Sequence, residues 1–198
     1  MPDRVPVGAH AALRAATEAA HLRLHAIPVF RALAEGRITH AAYGGLLRRK
    51  LGFHTALEAR LAEVPGLADF GIDLVARRRT HLLRADIAWL DAEADVPWSP
   101  LPAFATPAAA LGGLYVAEGS TLGGRQLALA LGGLLPPGLD GRRFLLGHGA
   151  RHGEMWRSCC AAIERCGTVP EARAEMVQGA LATFAAFEAW FTTAPAEA

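Results

Sequence analysis

Apolar side chains in this chain recur at three- and four-residue steps, and that spacing leaves little choice of architecture. Leu13, Ala16, Ala20, Leu24 and Ile27 fall on one face of a helix, whereas a half-buried strand would alternate every second residue. Pro28 ends or kinks that helix. Thr39, after the turn EGRIT, is placed to cap a second long helix. Its inner side carries Tyr43, Leu46, Leu47, Leu51, Leu57 and Leu61, and VPG stops it. The pattern returns over 74–90. It follows again, after the connector DVPWSPLPAFATP and a glycine-rich apolar stretch, over 142–166 and 171–191. No strand pair, repeat or dividing linker interrupts it. A chain of 198 residues suffices for one well-buried core and is short for two. The expectation is a single all-α domain over 1–198, a helical bundle, with residues 1–10 as a flexible N-terminal segment.

Composition removes several function classes. A formal net charge of +1 gives no bulk electrostatic reason to expect nucleic acid or an anionic membrane surface as partner. No uncharged apolar run reaches the roughly 18–20 residues of a membrane span; the nearest, 107–135, is interrupted by Glu118 and Arg125. The N-terminus turns polar where a signal peptide needs its apolar core, so a cytoplasmic protein is expected. Cys159, Cys160 and Cys166 are odd in number, and two are adjacent. That fits ordinary reduced thiols rather than a disulfide framework or a CxxC metal site.

The stretch LYVAEGSTLGGRQLALALGG, 114–133, is apolar enough for a buried helix yet carries Gly119, Gly123, Gly124, Gly132 and Gly133. Each interior glycine costs a helix about 1 kcal/mol relative to alanine. Two readings remain open. Gly119 and Gly123, four apart, let a flat ligand approach the backbone, with a kink in the helix; or small residues let two helices pack closely.

Other residues invite chemistry. His21 stands next to the apolar face of the first helix, with Arg14 seven residues earlier, about 10 Å along the axis. Imidazole binds metals and guanidinium pairs with carboxylates, so the two could hold a large anionic ligand; a satisfied histidine beside an unrelated surface arginine is the alternative. Arg77, Arg78 and Arg79 read as a solvated face, or as a basic patch for an acidic electron donor. His148 and His152 are four apart, but in GHGARHG they do not make a convincing metal site. Glu118 reads as a structural, hydrogen-bonding group.

LRAATEAAH near the N-terminus and LYVAEGSTLGGRQL in the middle resemble the heme oxygenases, most nearly the bacterial type found with bacteriophytochromes. HGARHGEMWRSCCAAIE and ALATFAAFEAW look like that family's last two helices. The resemblance implies a helical fold that clamps heme b between a proximal helix and a kinked, glycine-rich distal helix. It also implies cleavage of heme to biliverdin, carbon monoxide and ferrous iron, with O2 and electrons from a ferredoxin/reductase or another reductant.

By the same resemblance His21 matches the proximal iron ligand, and Gly119 and Gly123 match the glycines whose backbone lies over the porphyrin. Arg14 and Arg157 match basic residues that pair with the propionates, and Tyr115 belongs to the heme wall. Apo-bacteriophytochrome is the implied recipient of the bilin. Two positions depart from the pattern. Ser120 stands where many members have an aspartate that orders distal water, leaving Ser120, with Arg125 or Gln126, to anchor that water. His25 stands where mammalian-type enzymes have a carboxylate beside the ligand, and reads as a solvated histidine one turn away, with a competing ligand as the alternative. Competing expectations are a heme carrier of the same fold that does not degrade its ligand, and other chemistry on this fold, as in thiaminase II or pyrroloquinoline quinone synthesis.

Overall fold

The computed structural model describes residues 8–92 and 95–193. Its helices are α1 (Ala9–Ala26), α2 (Pro28–Ala34), α3 (His40–Ala62), α4 (Thr80–Trp89), α5 (Pro107–Gly119), α6 (Gly124–Ala130), α7 (Arg143–Leu146), α8 (His152–Cys166) and α9 (Pro170–Thr192). No strand occurs among the described residues. Local chemistry sets several boundaries. Pro28 occupies the first turn of α2, where its missing N–H is not needed. Thr39 Oγ1 accepts Ala42 N–H at 3.2 Å, and Thr106 Oγ1 accepts Ala109 N–H at 3.2 Å, each filling one of the unpaired donors at a helix start.

α5 runs through the middle, packed on α9 along its length and on α8. The approach to α9 is backbone to backbone. A methyl group on Gly112 would lie 2.0 Å from Met176 O, and one on Gly179 would lie 2.1 Å from Ala109 O. Two apolar cores result. One joins Leu13, Phe53, Leu57, Leu111, Leu114, Ile163 and Met176; the other joins Ile27, Leu33, Tyr43, Leu47, Leu83, Ile87, Leu131, Phe144 and Phe191. α3 is long enough to contribute to both, which ties the two ends of the bundle together.

Four expectations are corrected. The helix expected over 74–90 begins only at Thr80. The arginine run ahead of it is not a solvated face: Arg77 and Arg79 are buried and only Arg78 is exposed. The helix expected over 142–166 is split into α7 and α8 by Gly147 and Gly149, whose φ values of 55° and 56° lie in the left-handed region that other residues avoid. In α1, Thr17 rather than Ala16 faces inward, its hydroxyl donating to Leu13 O at 2.8 Å. Of the N-terminal segment, residues 1–7 lie outside the described residues, whereas Ala9 and His10 are held. Their N–H groups donate to the Glu164 carboxylate at 2.9 and 3.0 Å, a negative charge at the positive end of α1.

Candidate functional site

The glycine-rich segment breaks its helix. α5 ends at Gly119 and α6 starts at Gly124. Between them Thr121, Leu122 and Gly124 donate to carbonyls three residues back, at 3.0–3.1 Å, a tighter turn than the α-helix. The Ser120 and Thr121 hydroxyls donate to Ala117 O and Glu118 O, both at 2.6 Å, satisfying carbonyls that the break frees.

The two readings of the glycines both hold, for different residues. A methyl group on Gly124 would lie 2.0 Å from Leu145 O, and one on Gly113 2.4 Å from the Phe104 ring, so these two glycines, like Gly112, serve packing. At Gly119 a methyl would meet only the Trp156 ring, at 3.8 Å, and at Gly123 nothing within 4 Å. Neither has a positive φ. Their lack of a side chain answers to no packing need inside the protein.

Behind the break lies a buried charge network. Glu118 Oε1 is 3.1 Å from Arg77 Nη1, with side-chain exposures of 2% and 4%, and His148 Nε2 is 3.3 Å from the same carboxylate. Arg77 also donates to Met155 O at 3.2 Å, and Arg79 to Ala117 O at 2.7 Å. Burial alone would raise the Glu118 pKa, but the His148 hydrogen bond and the Arg77 and Arg79 charges outweigh it and hold the carboxyl below its ordinary range. Glu118 is therefore the structural group expected, and through Arg77, which also holds Met155 O of α8, it anchors the end of α5 one residue before the turn. His148 is taken up in this network and does not join His152. Among the described residues no group of three or more His, Cys, Asp or Glu forms a metal site.

On α1, His21 is exposed. Its ring stands edge-on to His25, centroids 4.7 Å apart, and 6.4 Å from Phe184 of α9. Partial burial, then the neighbouring His25, lowers its pKa, favouring the neutral imidazole that binds metals. Arg14 and Arg157 are exposed and make no ion pair among the described residues. Half-buried Tyr115 sets its ring against His10 and Trp156, at centroid distances of 6.0 and 5.9 Å. Trp156 thus joins the start of α1 to Gly119. Arg125 and Gln126 are exposed.

The other end of α1 leads to an apolar wall. Leu24, Phe30, Leu127 and Phe187 pack on the core while remaining partly exposed. They come from α1, α2, α6 and α9, and Phe30 lies on Phe187 with centroids 5.6 Å apart. Sequence reading missed this wall, and Trp156, because phenylalanine and tryptophan at helical spacing look like ordinary core. Among the described residues His21 has no carboxylate partner, Arg14 and Arg157 make no ion pair, and nothing stands within 4 Å of a methyl placed on Gly123.

The chain matches the heme oxygenase family model over residues 8–193. It is 35% identical over 171 residues to a heme oxygenase of Xanthomonas campestris pv. campestris, covering 80% of this chain and 94% of that protein. Among solved structures, the NO- and CO-bound heme oxygenase of Neisseria meningitidis is similar with a TM-score of 0.71 and 25% identity, over 97% of this chain and 96% of the other. Heme oxygenase-1 of the cyanobacterium Synechocystis, in complex with heme, gives a TM-score of 0.75 over 93% and 91% of the two chains. At 16% identity, that second likeness is one of fold.

Proposed function

This chain belongs to the heme oxygenase family, and from that premise we infer that it opens heme to biliverdin, carbon monoxide and ferrous iron with O2 and electrons from a reductant. The observation that carries the assignment of its site is the pair of glycines, 119 and 123, that the protein's own packing does not require.

Heme is the substrate and, once bound, supplies the oxygen-binding and redox chemistry; the chain binds and orients it. His21 would hold the iron through neutral imidazole, a ligand without the electron push of a thiolate. The Gly119 and Gly123 backbone, with no protein group closer than the Trp156 ring to a methyl placed there, would let the flat ring approach closely. Arg14 and Arg157 pair with the propionates and so fix which edge is presented, while Tyr115 supports the wall beside them. The Ser120 hydroxyl proton is engaged by Ala117 O, so toward distal water Ser120 acts through its acceptor lone pairs. His25 cannot act as the carboxylate partner seen in mammalian-type enzymes.

An acidic electron donor such as a ferredoxin, with its reductase, is the expected partner. Of the run 77–79 only Arg78 lies on the surface to meet it. A cytoplasmic enzyme supplying bilin to an apo-bacteriophytochrome is the biological role we propose, supported by the sequence likeness and by three cysteines free of disulfides.

The test is a single turnover. Protein loaded with one equivalent of hemin is reduced in air by ascorbate or a ferredoxin system, with catalase present. Conversion of the Soret band into the broad red absorption of biliverdin is the expected result. A stable heme complex that only cycles between ferric and oxygen-bound forms would instead identify a carrier.

A further inference from the structure

Lys50 of α3 projects its ammonium into a box of four phenylalanine rings. Nζ lies 5.1 Å from the centroid of Phe30, 5.3 Å from Phe187, 5.6 Å from Phe144 and 5.9 Å from Phe191. Among the described residues no carboxylate pairs with it and no acceptor takes its N–H groups. Aromatic faces attract the charge, but they do not use up the three directed donors of an ammonium.

The box adjoins the site on both sides. Phe30 and Phe187 belong to the apolar wall, and Phe187 follows by three residues the Phe184 that touches His21. Phe144 precedes Leu145, whose carbonyl is the one that Gly124 packs against. Lys50 is thereby linked to the wall through Phe30 and Phe187, and through Phe144 to the neighbour of Gly124. Leu24 is the residue of α1 that packs with the wall, and Arg14 stands ten residues before it, about 15 Å along the axis. The wall is thus at the end of α1 away from Arg14.

Substrate and product differ at whichever edge is opened. Away from its propionates heme carries only methyl and vinyl groups, which offer an ammonium nothing. Ring opening leaves a carbonyl oxygen on each of the two pyrroles that flanked the lost carbon. We propose that Lys50 is a product-recognition residue: its ammonium donates to the carbonyl oxygens created at the ring edge opposite the propionates, so it holds biliverdin and not heme. The inference rests on the functional reading above and adds a discriminating contact to it.

Burial, and secondarily the charge of Arg79, brings the Lys50 pKa down to about 7. The groups facing it are Arg79, ahead of α4, and His54 on α3, which burial keeps neutral. Charged groups on the other packed elements are engaged elsewhere: Arg31 of α2 with Ala26 O, Arg143 of α7 with Asp140, Glu188 of α9 with Arg23, and Arg49 of α3 with Thr193 O. The protonated amine is the stronger donor, so biliverdin affinity falls as pH rises through about 7.

The experiment titrates apo-protein with biliverdin and, separately, with hemin, for wild type and Lys50→Met, with thermal melts to establish folding. The expected result is about a tenfold loss of biliverdin affinity in Lys50→Met, less than a twofold change for hemin, and a biliverdin affinity whose fall with pH is present in wild type only. His21 is present in both proteins and cancels in that comparison, and His54 stays neutral in wild type. Equal loss of both ligands, or no loss of either, overturns the proposal, as does an unfolded Lys50→Met whose replacement Lys50→Gln binds both ligands as wild type does. Failure of the functional reading shows separately, as wild-type protein that gives no Soret band, and overturns both.

Discussion

Glu118 and Arg77 form an ion pair at 3.1 Å with both side chains almost wholly out of water, and the residue after Glu118 is Gly119. The glycine turn is therefore anchored by charges that its own glycines cannot supply. Replacing Glu118 by Gln leaves Arg77 buried without its counter-charge, a change that costs about 3 kcal/mol. Urea unfolding of Glu118→Gln is the measurement, and a loss under about 1 kcal/mol would show that the pair is not the anchor.

The same carboxyl sets an acid limit. Its folded-state pKa is below the ordinary carboxylate value, so its contribution to stability is present above the unfolded pKa of roughly 4. That contribution is lost as pH falls through the lower folded value. Wild type should therefore lose stability on acidification more steeply than Glu118→Gln. Parallel curves from pH 6 to 3 would contradict the assignment.

The glycines divide into two kinds, and substitution separates them. Gly112→Ala and Gly124→Ala place a methyl 2.0 Å from a backbone carbonyl and should cost about 2–3 kcal/mol through overpacking. Gly123→Ala has open space and a φ of −85° that alanine accepts. It should raise apo-protein stability by roughly 0.5 kcal/mol while weakening hemin binding. Calorimetric melts and hemin titrations on the three variants decide this; equal destabilisation by all three would refute it.

His21→Ala should fold as wild type, because the ring is exposed, and should lose the His-ligated heme spectrum, with imidazole added in solution restoring it. Retention of the spectrum in His21→Ala, with loss in His25→Ala, would transfer the ligand role to His25.

Arg14 and Arg157 are exposed, so each ion pair to a propionate should contribute modestly. Arg14→Gln and Arg157→Gln are each expected to lower hemin affinity about two- to fivefold. The effect on positioning should be larger: chromatography of the bilin products is expected to show a changed isomer ratio. An unchanged ratio in the double variant would remove these arginines from the orientation of the substrate.

The sequence by itself determined the helical class, the cap at Thr39, and the glycines at 119 and 123 as a place where a helix can bend. Each is a local matter of spacing, hydrogen bonding and backbone freedom, written in neighbouring residues. Only the tertiary structure decided which glycines serve packing and which do not, because that depends on whether Met176, Leu145 or nothing stands opposite. It also turned Arg77 and Arg79 inward. A run of three arginines looks solvated until a buried carboxylate at Glu118 and the carbonyls of Met155 and Ala117 are brought to it from α5 and α8. Lys50 is the same lesson in reverse. In α3 it is one more cation between Arg49 and Leu51, and its four phenylalanines arrive from α2, α7 and α9. Desolvation and pairing are set by what the fold gathers around a group, and separations of this kind in sequence carry no trace of it.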